Sequence, residues 1–167
     1  YPVAAYAHFV FGPLALMIGG FQFNATLRVK APVIHRAIGW LYVFSCLTSS
    51  VGGLILAINT QSGIWVATGF GSLSILWFYT TFKATVLAAR KQFANHKAWM
   101  VRSYALTLAA ITFRLVFLII LPSVSGLDFE LCYMIGSWLC WLINLALAEI
   151  WLRQNSPKLT SNILLGN

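Results

Sequence analysis

Three histidines and one arginine stand where their chemistry would count. His35 follows Pro32 by three residues, and proline suits the first turn of a helix, so His35 is expected near a helix N-terminus. Asn95 is a good N-cap, and His96 follows it directly. Both helices would begin on the same side, so two positive dipole ends converge there beside Arg36, Lys97 and Arg102. That combination suits an anion, whether a phosphate, a carboxylate or a haem propionate. His35 and His96 are the histidine pair expected at matching depth, and therefore the candidate metal ligands for a bis-histidine haem b. Arg36 and Arg102 would hold propionates, with Trp99 and Tyr104 among the aromatics around the ring. The ordinary alternative is that both histidines are interfacial residues beside lipid headgroups.

His8 and Arg114 make a second constellation. His8 lies about 15 residues before the basic end of its helix, roughly 22 Å away, so it does not readily share a metal with His35 or His96. Arg114 lies about seven residues before Pro122, at a depth similar to that of His8. An arginine inside hydrocarbon is costly unless it meets water, a carboxylate or a ligand. Asp128, Glu130 and Glu149 are the only acidic residues, and none is expected at that depth. Arg114 would then be met by backbone carbonyls, water, a carbonyl-bearing or anionic molecule, or another subunit. With His8 nearby as a donor to a carbonyl, a quinone pocket is one expectation.

The elements that must hold these residues follow from composition. The chain has 167 residues, 60% hydrophobic and 8% charged, with mean hydropathy +0.82. A soluble domain carries about a quarter charged residues, so a soluble fold is excluded. About 20 residues are needed for a helix to cross the hydrocarbon. Apolar stretches at roughly 3–23, 34–58, 64–88, 98–121 and 131–152 predict an all-α, polytopic transmembrane bundle of about five spans, with 153–167 as a cytoplasmic tail. The short connections make neighbouring spans antiparallel. Glycines such as Gly12, Gly19, Gly20, Gly39, Gly52 and Gly53 mark close helix approaches. Gln22 and Asn144 are expected to bond between helices, and Glu149 to pair with Lys83 or Arg102.

Charge sets the orientation. Arg28, Lys30 and Arg36 flank the first connection, and Lys83, Arg90, Lys91, Lys97 and Arg102 the third. Arg153 and Lys158 follow the last span. The alternate connections, 59–63 and 122–130, carry no lysine or arginine. The positive-inside rule then predicts an outside N-terminus and a cytoplasmic C-terminus, as in a bacterial inner membrane. The net charge of +8 is thus a matter of topology and of anionic headgroups on the cytoplasmic side, not of nucleic acid. Cys46, Cys132 and Cys140 lie inside apolar stretches without CxxC spacing and read as packing residues. No basic region precedes the first apolar run, which argues against a signal peptide.

The landmarks resemble the DUF2306 family of bacterial and fungal membrane proteins. They are His8 followed by Gly12 and Gly19-Gly20-Phe21-Gln22, then Pro32-x-x-His35-Arg36-x-x-Gly39-x-x-Tyr42. The most specific is Asn95-His96-Lys97-Ala98-Trp99-Met100-Val101-Arg102-Ser103-Tyr104, continuing to Phe113-Arg114-Leu115. The resemblance covers nearly the whole chain and implies a multispan helical bundle.

Three functional classes remain open on the residues. One is haem- or quinone-linked electron transfer. The second is a non-enzymatic accessory subunit of a larger membrane complex, with the Arg114 partner on another chain. The third is a small transporter, for which three histidines without acidic or methionine clusters make a poor metal path. There is no HExxH, nucleophile elbow or P-loop and no paired intramembrane carboxylates, so hydrolysis and phosphoryl transfer have no visible machinery. A lipid-modifying enzyme with histidine as base stays open.

Overall fold

The computed structural model describes residues 1–120, 123, 126 and 128–164, side chains at 120 and 156–164 excepted. Pro122, expected to end the fourth span, and the side chains of Pro157 and Lys158 lie outside the described residues. The fold is all-α. Helix α1 (Pro2–Gly19) runs into a 3-10 turn (Gly20–Phe23), followed by short α2 (Ala25–Lys30), α3 (Pro32–Ile58) and α4 (Ile64–Ala89). Then come α5 (Phe93–Thr107), α6 (Ala109–Leu115), a π-helical turn (Val116–Ile120) and α7 (Phe129–Leu164).

Four segments are long and apolar enough to cross a membrane: Pro2–Phe23, Pro32–Ile58, Phe93–Ile119 and Phe129–Asn155. Helix α4, at 26 residues, has the length, but Gly69, Gly71, Ser74, Thr80 and Thr81 dilute its hydropathy. Those residues are buried, because α4 packs against α3, α5 and α7. About five spans is therefore the consistent count.

Three local features depart from the expected spans. The first connection folds into α2, where the Asn24 side chain accepts the Leu27 N–H at 3.1 Å as an N-cap. The fourth span breaks at Leu108. Asn144 of α7 spans that break, donating to Ala105 O at 3.1 Å and accepting from the Thr112 hydroxyl at 2.9 Å. The interhelical role expected of Asn144 is thus observed, and it repairs polar groups that a broken helix would leave in hydrocarbon. The last helix continues past residue 152 to Leu164.

Small polar residues are frequent in the interior, and large apolar side chains cover much of the exterior. Ser45, Ser49, Ser50, Ser103, Thr107 and Ser137 are buried; Phe9, Phe44, Ile75, Leu118 and Leu147 are exposed. Lipid removes the hydrophobic drive for helices to associate, so close contact and hydrogen bonds must supply it. Gly52 and Gly53 show the close contact. A Cβ at Gly52 would lie 2.6 Å from Ala4 O of α1, and one at Gly53 would lie 2.9 Å from the His8 ring. Gly19 is equally constrained, with Tyr104 carbons at 2.6 Å and a Tyr42 carbon at 2.7 Å from its missing Cβ. Gly19→Ala is expected to destabilise the bundle by about 1–3 kcal/mol through overpacking. The thermal unfolding midpoint in detergent should fall; an unchanged midpoint would mean that the two tyrosines do not meet at Gly19.

Candidate functional site

The turn between α4 and α5 positions His96. The Lys91 N–H bonds Ala88 O and the Gln92 N–H bonds Leu87 O, each at 2.9 Å, with Lys91 in the left-handed region at φ 58°. This paired-bond helix end normally uses glycine, and a side chain there costs about 1–2 kcal/mol. The turn lays the first turns of α5 against the last turns of α4. Helix α5 begins at Phe93 with Gln92 as N-cap, so Asn95 is not the cap. Instead Asn95 sits in the first turn and donates to Gln92 Oε1 at 3.4 Å. The His96 Nδ1 lies 2.8 Å from Ala84 O, on the facing α4. A carbonyl only accepts, so Nδ1 carries the proton and Nε2 is left with a free lone pair.

His35 lies in the first turn of α3, which begins at Pro32 as expected. It is half-buried, and its Nδ1 is buried with no hydrogen-bond partner among the described residues. The Arg28 guanidinium and the His96 ring lie within electrostatic reach of the His35 ring. Gln22, from the 3-10 turn, places Oε1 against Gly39, one helical turn beyond His35 on the same face of α3. Its Nε2 is also buried without a partner among the described residues. Three segments thus bring Gln22, His35 and His96 to the basic end of the bundle, with Arg28 beside them.

The other expected residues are placed differently. Arg36 is exposed, and its Nε donates to Pro32 O of its own helix at 3.3 Å. Arg102 forms a two-pronged pair with Glu149 of α7, Nε to Oε1 and Nη2 to Oε2, the second at 3.0 Å. Its guanidinium also lies 4.9 Å from the Trp99 ring centre, with the Lys83 ammonium at 5.9 Å. Arg102 and Trp99 therefore tie α5 to α7 and α4. The Tyr104 hydroxyl donates to Leu16 O at 3.4 Å, tying α5 to α1. His8 is joined to α3: its Nδ1 donates to Ser49 O at 3.0 Å, while the Ser49 hydroxyl donates to His8 O at 3.2 Å. Arg114 is exposed, and its Nη1 donates to Ala110 O at 2.6 Å. The structure does not bring His8 and Arg114 together, since α1 packs mainly on α3 and α6 mainly on α7.

Among the described residues, no three His, Cys, Asp or Glu side chains gather as a metal-binding group.

Sequence reasoning did not foresee a buried hydroxyl cluster at mid-bundle. The Tyr42 hydroxyl lies 2.9 Å from Ser103 Oγ and 3.0 Å from Thr107 Oγ1, and Ser103 Oγ lies 2.7 Å from Thr81 Oγ1. Trp77 Nε1 donates to Thr107 Oγ1 at 3.0 Å. The available signal was helical spacing: Ser103 and Thr107 are four apart, as are Trp77 and Thr81, so each pair shares a helix face.

The profile of the family described as predicted membrane protein (DUF2306) matches residues 5–152. The chain belongs to the DUF2306 family. That match runs from just before His8 to just past Glu149 and so takes in Gln22, His35, His96, Arg102 and Arg114. No curated protein and no solved structure matches the chain. As a DUF2306 member with apolar helices of spanning length, it is a membrane protein.

The Arg102–Glu149 pair is part-buried, with side chains 23% and 36% exposed. A double-mutant cycle with Arg102→Gln and Glu149→Gln is expected to give a coupling energy of about 1 kcal/mol, discounted for that exposure. Additive losses in chemical or thermal unfolding would show that the pair contributes nothing to holding α5 on α7.

Proposed function

We propose that the chain is an integral membrane electron-transfer protein whose basic end holds a quinone between Gln22, His35 and His96. The observation that carries this reading is that two of the four buried side-chain polar atoms without a partner among the described residues, His35 Nδ1 and Gln22 Nε2, fall at this end, with His96 within electrostatic reach of His35. A buried polar group left unsatisfied costs about 1–3 kcal/mol, so a bound molecule that supplies oxygens to such a site is favoured. A quinone, when bound, supplies two-electron chemistry coupled to protons.

The chain's own groups suit that chemistry. The Gln22 amide is a donor for a carbonyl oxygen. Ala84 O holds His96 as the Nδ1–H tautomer, so its Nε2 accepts a proton or a hydroxyl hydrogen bond. His35 offers a second imidazole for proton exchange, and the Arg28 charge favours a developing negative oxygen. By the charge distribution, this end faces the cytoplasm, with the N-terminus outside and the membrane a bacterial inner one. Anionic headgroups would surround it.

Haem b is the second reading, and one observation favours it. A ring Nδ1–H held by a backbone carbonyl is the usual support of an axial histidine, and His96 has it. His35 lacks the same support, which ranks haem below quinone. The accessory-subunit reading rests on Arg114, on another face of the bundle, while no residue grouping favours transport.

Gently purified protein should release a quinone on solvent extraction, near one per chain, and show no Soret band before or after dithionite. Gln22→Leu and His35→Ala should each lower quinone occupancy roughly tenfold, which corresponds to about 1.4 kcal/mol, with circular dichroism unchanged. A Soret band with a sharp reduced α-band, lost in His96→Ala, would replace quinone by haem. Neither pigment nor quinone would sink the electron-transfer reading.

A further inference from the structure

The face of α6 around Arg114 has a different chemistry and stands independently of the quinone reading. Arg114 is exposed within the span Phe93–Ile119, about five residues from its described end. Its neighbours on that surface, Ile111, Leu115 and Leu118, are exposed and apolar. The opposite side of α6 is taken up by α7, through Thr112 on Asn144 and Phe113 on Tyr133. The guanidinium therefore projects from the bundle into the lipid zone, not into an internal cavity.

An arginine in that position ordinarily snorkels, with its stem along the helix and its charge at the nearer interface. Arg114 does the reverse. Its Nη1 donates to Ala110 O, one turn back along the span and about 6 Å deeper into the membrane. Among the described residues, one carbonyl engages one of the five guanidinium N–H groups and no carboxylate meets the charge. The chain has three acidic residues to offer. Glu149 is held by Arg102, Asp128 Oδ1 accepts the Leu131 N–H at 2.8 Å, and Glu130 lies in the first turn of α7, near the end of the bundle. A second copy brings the same set, with no carboxylate at the depth of Arg114. The backbone is also irregular on both sides, with the break at Leu108 and the π-helical turn Val116–Ile120, a form that concentrates at functional positions.

We propose that this face docks a transmembrane helix of a different subunit, one that carries an Asp or Glu at the depth of the Arg114 guanidinium. A carboxylate there takes two parallel N–H bonds from the guanidinium fork, and the flanking Ile111, Leu115 and Leu118 pack against the incoming helix. The charge thus selects the partner and its register, and the apolar flank gives contact area.

The test uses the full chain, donor-labelled, in phosphatidylcholine vesicles with acceptor-labelled Leu-rich spanning peptides. One peptide carries a single Asp at the depth of Ala110, a second carries it two turns away, and a third is all Leu. Saturable energy transfer at least fivefold stronger for the first peptide than for the other two is expected, as is its loss in Arg114→Leu and partial retention in Arg114→Lys. Equal transfer for all three peptides with the unmutated chain overturns the proposal without recourse to any variant. So does transfer that Arg114→Leu leaves intact. Arg114-dependent transfer between donor- and acceptor-labelled copies of the chain would overturn it in favour of self-association. Displacement of the Asp peptide by phosphatidylglycerol in the vesicles would overturn it in favour of a headgroup site.

Discussion

A helix bundle in lipid cannot rely on apolar side chains to hold itself together, because the solvent is as apolar as they are. In this chain the hydroxyl cluster of Tyr42, Thr81, Ser103 and Thr107, joined by the Trp77 indole, meets that constraint. It draws one helix face each from α3, α4 and α5 to a single point that is fully buried or nearly so. Every hydroxyl there has a partner, so the cluster adds cohesion without leaving a polar atom in hydrocarbon. The tight Gly19 contact under Tyr42 and Tyr104 then seats α1 on the same layer.

Once these helices are fixed at mid-bundle, their ends are fixed as well. The α4–α5 turn cannot wander far from the cluster, and its left-handed Lys91 closes it within three residues. Ala84 O is therefore available to His96, and this bond holds the His96 ring in one tautomer and orientation. His35 and Gln22 differ from His96 in that a buried nitrogen on each has no partner among the described residues, as is also true of Ser45 Oγ and Trp141 Nε1.

Much of the fold was legible in the sequence because hydropathy, charge asymmetry and Pro32 report on physics local to each segment. The spans, the α3 start, the Asn144 bridge and the pairing of Glu149 with Arg102 follow from residue type and depth alone. The break at Leu108 was not legible, since no proline or glycine marks it and the polar repair comes from Asn144, 36 residues along the chain. The start of α5 was misplaced because Asn95 has the chemistry of a cap, whereas the position is set by the turn geometry around Lys91. For the site, depth was readable but facing was not. His8 and Arg114 lie at comparable expected depths, yet rotation about two separate helices sends one ring into α3 and the other charge out to lipid. Gln22 was readable as polar in an apolar run, while its approach to the His35 face depends on the 3-10 turn that ends α1.

His8 and His96 show why a histidine in such a bundle cannot be judged by its hydrogen bond alone. Both donate from Nδ1 to a backbone carbonyl of another helix. The His8 carbonyl belongs to Ser49, whose hydroxyl returns a bond to the His8 backbone, and the ring sits over Gly53, where any side chain would strike it. That arrangement is closed: the histidine serves as the bolt between α1 and α3. The His96 carbonyl belongs to Ala84, which returns nothing, and the neighbouring polar atoms on Gln22 and His35 have no partners among the described residues. A buried polar nitrogen without a partner costs free energy in a low-dielectric setting, as at His35 Nδ1 and Gln22 Nε2. The same bond thus completes a reciprocal joint at His8, where the Ser49 hydroxyl answers it, and stands as a one-way bond at His96.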